Sequence, residues 1–185
     1  MKNFTRKEPL FSLCGLNCGL CQMHLGNYCP GCGGGKGNQS CTIAACSLQH
    51  GGIDFCWDCP QYPCAHYDSF DAFDSFLPHR SRKQDIACAQ SLGLDAYLQL
   101  LREKISILEE LLAHYNDNRH KTLFATAVYL LPPEELRPIL QQLHSQPELL
   151  EQPAKARAST TASLLQQAAD RQGISLKLFK KPKNR

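Results

Sequence analysis

Residues 14–21 read CGLNCGLC, three thiols spaced C-x3-C-x2-C. Working outward from this run, CPGC follows at 29–32, CTIAAC at 41–46 and CWDCPQYPC at 56–64. The C-x2-C pairs are Cys18/Cys21, Cys29/Cys32 and Cys56/Cys59, while Cys41/Cys46 and Cys59/Cys64 each bracket four residues. A C-x2-C pair puts two sulfurs on one tight turn, where both reach a single metal ion at about 2.3 Å. Three such pairs in about fifty residues predict a metal-binding fold. Ten of the twelve glycines share the window, as knuckle turns that need positive φ would require.

Composition divides the 185 residues in two. Ten of the eleven cysteines lie between Cys14 and Cys64, and that window carries only Lys36, Asp54 and Asp58 as charged side chains. Its large apolar residues are too few to order a Gly-rich segment of this length. Bound metal supplies the missing folding energy, about 10 kcal/mol or more per structural zinc in small peptides. The expected organisation is a small metal-stabilised cysteine-rich module of zinc-ribbon or knuckle type over residues 1–68. An all-α helical domain with a basic C-terminal tail is expected over 69–185.

Lys2, Arg6 and Lys7 imitate the start of a secretory signal, but the apolar run Leu10–Leu13 is too short and ends in cysteine. No stretch approaches the roughly 20 apolar residues of a membrane span. The expected location is the cytoplasm, where thiols stay reduced and clustered cysteines serve metals rather than disulfides. Closed all-thiolate tetrahedral sites favour Zn²⁺, two or more ions, with a [4Fe–4S] cluster as the alternative. The opening run also matches the spacing that holds a [4Fe–4S] cluster in radical S-adenosylmethionine enzymes. That chemistry needs an α/β barrel, and further knuckles follow here instead.

Spacing leaves the ligand grouping open. The pairs 18/21, 29/32, 41/46 and 56/59 make two four-thiolate sites on paper, with Cys14 and Cys64 as substitutes or parts of a further site. If Cys14, Cys18 and Cys21 shared a helix, their steps of four and three would place them on one face. His24, His50 and His66 are within reach in sequence but are expected at the surface. Cys88, in DIACAQSL, is expected as a buried helix residue. GCGGGKGN (31–38) lacks the G-x4-G-K-[ST] spacing of a phosphate loop and reads as a connector between knuckles.

In their order, the four blocks resemble a family of small prokaryotic cysteine-rich proteins known as a domain of unknown function and described as zinc-binding. The pattern is C-G-x2-C-x2-C, C-x-G-C, C-x-I-x2-C and C-x2-C-P-x-Y/F-P-C. The resemblance runs over about residues 10–115. It implies metal binding by Cys14, Cys18, Cys21, Cys29, Cys32, Cys41, Cys46, Cys56, Cys59 and Cys64. It implies no substrate and no catalytic residue. Some relatives carry another cysteine pair after the long helix, which this chain lacks.

In the second half, Ser69 is expected to cap a short helix, FDAFDSFL, with Phe70, Phe73 and Leu77 on one side. Arg82–Leu92 reads as a helix closed by Gly93. Leu94, Leu98, Leu101, Ile105, Leu108, Leu112 and Tyr115 form one apolar stripe at helical spacing. Helices are also expected over Thr122–Leu131, from Pro133 onward with Pro138 near the first turn or at a bend, and over Pro153–Gln172 before Gly173. Ile174, Leu176 and Leu178 alternate like a strand, and the basic end beyond is expected to fray.

Two classes of function fit this sequence. One is a metal-stabilised interaction module, with another protein as the expected partner. Four thiolates on Zn²⁺ leave a charge of −2, which opposes phosphate binding by the cysteine window. Nucleic acid is the lesser option, through Arg80, Arg82, Lys83 and the basic tail, with Phe55, Trp57 and Tyr62 as anchors or local core. The other class is an iron–sulfur protein with a redox or enzymatic role. No nucleophilic triad, phosphate-binding loop or paired-carboxylate motif is visible.

Overall fold

The computed structural model describes residues 3–36 and 40–182. Residues 37–39, which belong to the glycine-rich connector expected at 31–38, lie outside the described residues, as do Lys183 and Arg185 of the basic tail. Among the described residues seven α-helices follow in order: α1 Gln22–Leu25, α2 Thr42–Gln49, α3 Arg82–Leu92, α4 Leu94–His114, α5 Lys121–Leu130, α6 Pro133–His144 and α7 Ala154–Arg171. Short 3-10 turns fall at Cys18–Leu20, Cys56–Asp58, Ala65–Tyr67, Phe70–Ala72 and Pro147–Glu151. No strand occurs among the described residues. The alternation of Ile174, Leu176 and Leu178 therefore does not form one, there being no neighbouring strand to accept its ladder.

The chain divides into two compact units, Met1–Gln99 with Leu178–Arg185, and Leu100–Lys177. Helix α3, part of the expected helical domain 69–185, packs in the first unit with the cysteines. The residues on which its core rests flank the cysteine window: Phe11 and Leu13 before it, Tyr67, Leu77, Ile86 and Tyr97 after it. Phe11 is fully buried and lies 4.7 Å from the Tyr97 ring and 5.8 Å from Phe55, which stacks on Trp57 at 4.1 Å. Phe55 and Trp57 are thus parts of a local aromatic core.

The helix expected from FDAFDSFL is a single 3-10 turn, Phe70–Ala72, and Ser69 makes no side-chain cap bond. The reason is Asp74. Its buried carboxylate accepts the His79 N–H at 2.7 Å, the Phe179 N–H at 2.8 Å and Arg80 Nη1 at 3.0 Å. A side chain turned inward to three donors holds the backbone in a loop. The Asp74 N–H also donates to the Phe179 carbonyl at 2.7 Å, and Lys180 donates to the Ser75 carbonyl. Phe179 and Lys180 are thus tied down rather than frayed.

The second unit is all-α. Helix α7 packs against α5 and α6, with Ala158, Ala168 and Ala169 buried. Small side chains there let the helices approach closely. The stripe on α4 is displaced from the expected one: Ile107 and Leu111 are buried, while Ile105 and Leu112 are partly exposed. Gly93 ends α3 at φ +84° and Gly173 follows α7 at φ +65°, a left-handed backbone that glycine adopts without strain. Pro138 lies inside α6.

Candidate metal centre

The chain reaches Cys14 through a tight turn in which Ser12 Oγ accepts the Leu16 N–H at 2.7 Å and sits 3.2 Å from Cys14 Sγ. Gly15 follows at φ +90°, and a Cβ there would lie 2.5 Å from Ile86 Cγ1 and 3.0 Å from Arg82 Cγ. Glycine is what lets α3 lie against the Cys14 turn. Cys18 opens a 3-10 turn and Cys21 is extended at φ −76°, ψ 131° ahead of α1. Cys14, Cys18 and Cys21 therefore do not share a helix, and turns rather than a helical face present them.

The thiols fall into two groups. Burial pushes the Cys18 thiol well up, and the thiols of Cys32, Cys14, Cys21 and Cys29 push the same way. Burial raises Cys14 too, where the Ser12 hydroxyl opposes it and the Cys32 and Cys41 thiols add to it. Cys14, Cys18, Cys21, Cys29, Cys32 and Cys41 thus form one neighbourhood. In the second, Cys46, Cys56, Cys59 and Cys64 line a cavity of about 20 Å³, together with His66, Tyr62, Tyr67 and apolar residues. Burial drives the Cys56 thiol up to about 12, against its hydrogen bonding with the Tyr67 hydroxyl, with Cys14, Cys64 and Cys46 adding to the rise. Cys14 lies close enough to Cys56 to couple the two groups.

Several sulfurs already accept the hydrogen bonds a thiolate would use. Cys21 accepts backbone N–H bonds from Met23 and His24, and Cys32 accepts from Leu13 and from the Arg6 side chain. Donors aimed at sulfur favour the charged form, and burial opposes it until a cation is present. That is the donor chemistry of a metal–thiolate site. All eleven cysteines are free thiols. Among the described residues no three His, Cys, Asp or Glu side chains stand close enough to hold an ion as they are placed. In the second group the four cysteines surround a space rather than meet, and about 15 Å³ suffices for a water-sized guest.

His24 Nδ1 lies 2.9 Å from the Cys29 carbonyl. His50 Nδ1 lies 2.9 Å from the Cys46 carbonyl and 3.6 Å from Cys46 Sγ. Cys88 is half-buried in α3.

Sequence reasoning missed the groups behind the thiols. Arg82 belongs to a run, RSRK (80–83), that reads as a solvated basic patch. It is fully buried instead, while Arg80 pairs with Asp74 at 3.0 Å and Lys83 with Asp71 at 3.8 Å. The Tyr67 hydroxyl donates to the Cys14 carbonyl at 3.3 Å besides bonding Cys56. The i, i+4 step from Arg82 to Ile86, a large apolar residue, was the one available hint that Arg82 shares a buried face of α3.

Residues 10–69 match the family described as a protein of unknown function, DUF3795. The match takes in all ten clustered cysteines and about a third of the chain. It bears out the resemblance carried by the four cysteine blocks, and it stops short of the continuation to residue 115. No curated protein and no solved structure matches the chain.

Proposed function

We propose that residues 10–69 form a structural zinc module of the knuckle type that gives the first unit its shape for docking on another protein. The observation that carries this reading is the convergence of Cys46, Cys56, Cys59 and Cys64, from a helix and the turns after it, on one small cavity walled by Tyr62 and Tyr67. Those four are the residues that would hold one ion. Four of Cys14, Cys18, Cys21, Cys29, Cys32 and Cys41 would hold another. A bound Zn²⁺ supplies a cross-link between turns and no redox step.

The protein's own residues do the rest. Ser12 fixes the Cys14 turn, the backbone N–H groups of Met23 and His24 orient Cys21, and Tyr67 holds Cys56. Knuckle rather than ribbon is favoured because the cysteines sit on 3-10 turns and helix ends. A protein partner is favoured over nucleic acid because Arg80, Arg82 and Lys83 are each engaged with an aspartate. The first group's six thiols, two more than one four-thiolate ion uses, favour the second reading, an iron–sulfur cluster with an electron-transfer role.

Elemental analysis of anaerobically purified protein, read beside its visible absorbance, tests both. About two zinc ions per chain and no visible band support the structural module. Iron with acid-labile sulfide and a broad band near about 400 nm overturns it in favour of the cluster. Protein without either metal ends both readings.

A further inference from the structure

Arg82 is the largest fully buried side chain among the described residues. Its guanidinium carbon lies 4.3 Å from the Tyr67 ring centroid and 3.8 Å from that of Phe70. Nη2 is 2.9 Å from Asp71 Oδ1, yet off the line of a hydrogen bond. Nε, Nη1 and Nη2 therefore have no hydrogen-bond acceptor among the described residues. Asp71 is itself shared, since Lys83 Nζ approaches its other oxygen at 3.8 Å. Asp71 thus faces two cations, the exposed Lys83 and the buried Arg82, whose guanidinium has an ion-pair partner but no hydrogen-bond acceptor. A buried cation whose donors lack acceptors is disfavoured.

Arg82 neighbours the thiols through Tyr67 and Gly15. The ring under Arg82 belongs to the tyrosine whose hydroxyl bonds Cys56 and the Cys14 carbonyl, and the Arg82 stem runs beside Gly15. Tyr62, a residue of the four-cysteine cavity wall, packs edge-on against the same Tyr67 ring at 5.1 Å. A second arginine repeats the arrangement. Arg6 spans the carbonyls of Asp54, Glu8 and Phe11 at 2.9 Å each and lies over the Phe55 ring. Its Nη2 is buried with no hydrogen-bond partner, and its side chain lies beside Cys32 of the other thiol group.

We infer that Arg82 is the built-in counter-charge of the metal–thiolate centre, a positioning residue that offsets the anionic charge four thiolates keep after binding a divalent ion. This rests on the zinc reading above. Metal binding and the buried arginine then depend on each other: the ion–thiolate centre adds anionic charge near a guanidinium that has one shared carboxylate and no hydrogen-bond acceptor. A planar cation spreads its charge between two aromatic faces and tolerates the absence of direct acceptors better than an ammonium would.

The test is a competition titration of the full-length protein against a chromophoric chelator with Zn²⁺ as the probe, and Co²⁺ read in parallel by its thiolate absorbance. Arg82→Met keeps length and apolar bulk and removes charge, and is expected to weaken Zn²⁺ binding by about tenfold or more, the usual range for residues behind a metal's ligands. Arg82→Lys is expected to recover most of that loss. Asp71→Asn, which frees Arg82 from its carboxylate, is expected to bind Zn²⁺ as tightly as the wild type or tighter. Unchanged affinity in Arg82→Met overturns the inference, and so does an equal loss in Arg82→Met and Arg82→Lys. If Arg82→Met does not fold, a loss of affinity in Asp71→Asn overturns it alone. A wild-type protein that takes up neither ion sinks the zinc reading itself, a separate outcome.

Discussion

Cys41 and Cys46 are five residues apart, one just before α2 and the other inside it, yet they face different thiol groups. Cys41 is extended at φ −137°, ψ 126° just before α2, beside Cys14 and Cys32, whereas Cys46 lies inside α2 beside Cys56. Five helical steps turn a side chain by about 140°, so a C-x4-C pair straddling a helix start is divided. Metal content should show this division. Cys46→Ser and Cys56→Ser are each expected to remove about one ion per chain, and the double variant no more than one. Cys41→Ser combined with Cys56→Ser is expected to remove more than either alone, since the two act on separate sites. Elemental analysis of the five purified variants and the wild type checks this, and an additive loss in the Cys46/Cys56 pair would refute the grouping.

Much of this arrangement was legible in the sequence where one residue decides one feature. Gly93 and Gly173 stop helices at positive φ, and Pro133 starts one. The paired spacing singled out the cysteines that the fold gathers into two groups. What spacing does not encode is which pairs meet: Cys64, set aside as a surplus ligand on paper, lines the cavity with Cys46, Cys56 and Cys59. Nor does charge along the chain reveal burial. Arg82 and Arg80 are two residues apart, and one is buried between aromatic rings while the other reaches Asp74. FDAFDSFL carries a helical pattern, and a contact 105 residues away, from Asp74 to Phe179, overrides it.

Asp74 therefore makes a sharp stability test. Its carboxylate is buried and serves three donors, two of them backbone N–H groups that no other acceptor satisfies in its place. Asp74→Ala should cost about 3 kcal/mol, the range for removing one partner of a buried charged network. Asp74→Asn keeps one acceptor oxygen and should cost less. Chemical denaturation measures the loss, and limited proteolysis should cut the chain near Leu178 sooner in Asp74→Ala than in the wild type. A variant as stable as the wild type would mean the tail docks without this carboxylate.

In the second unit the bidentate pair of Arg137 on Glu103, at 2.6 and 2.8 Å, sets an acid-side dependence. The hydrogen bond from Arg137 holds the Glu103 carboxyl below its usual range, partly offset by burial. A depressed folded-state pKa gives stability that is complete above the unfolded-state value and lost as pH falls through the folded one. The pair is solvent-exposed, so its worth is about 0.5 kcal/mol. Glu103→Gln should lower the thermal midpoint slightly at neutral pH and leave it unchanged once the wild-type carboxyl is protonated in strong acid. Equal differences at both pH values would assign the effect to something other than ionisation.

Chelation separates the two units' sources of order. The unit of Leu100–Lys177 rests on buried Leu108, Phe124, Leu136 and Leu165, a core of its own that needs no ion. The cysteine window has glycine-rich turns and desolvated thiols, and its few apolar side chains lean on Phe11 and Tyr97. Structural zinc binding is folding free energy in such segments. Removing metal with a strong chelator under reducing conditions should therefore expose amides in residues 10–69 to rapid hydrogen exchange. Peptides from α5, α6 and α7 should keep their protection, and far-UV dichroism should fall only modestly. Readdition of Zn²⁺ should restore the slow exchange. Protection in residues 10–69 that survives complete metal removal would show that the aromatic packing around Phe11 is enough, and that the thiols serve something other than the fold.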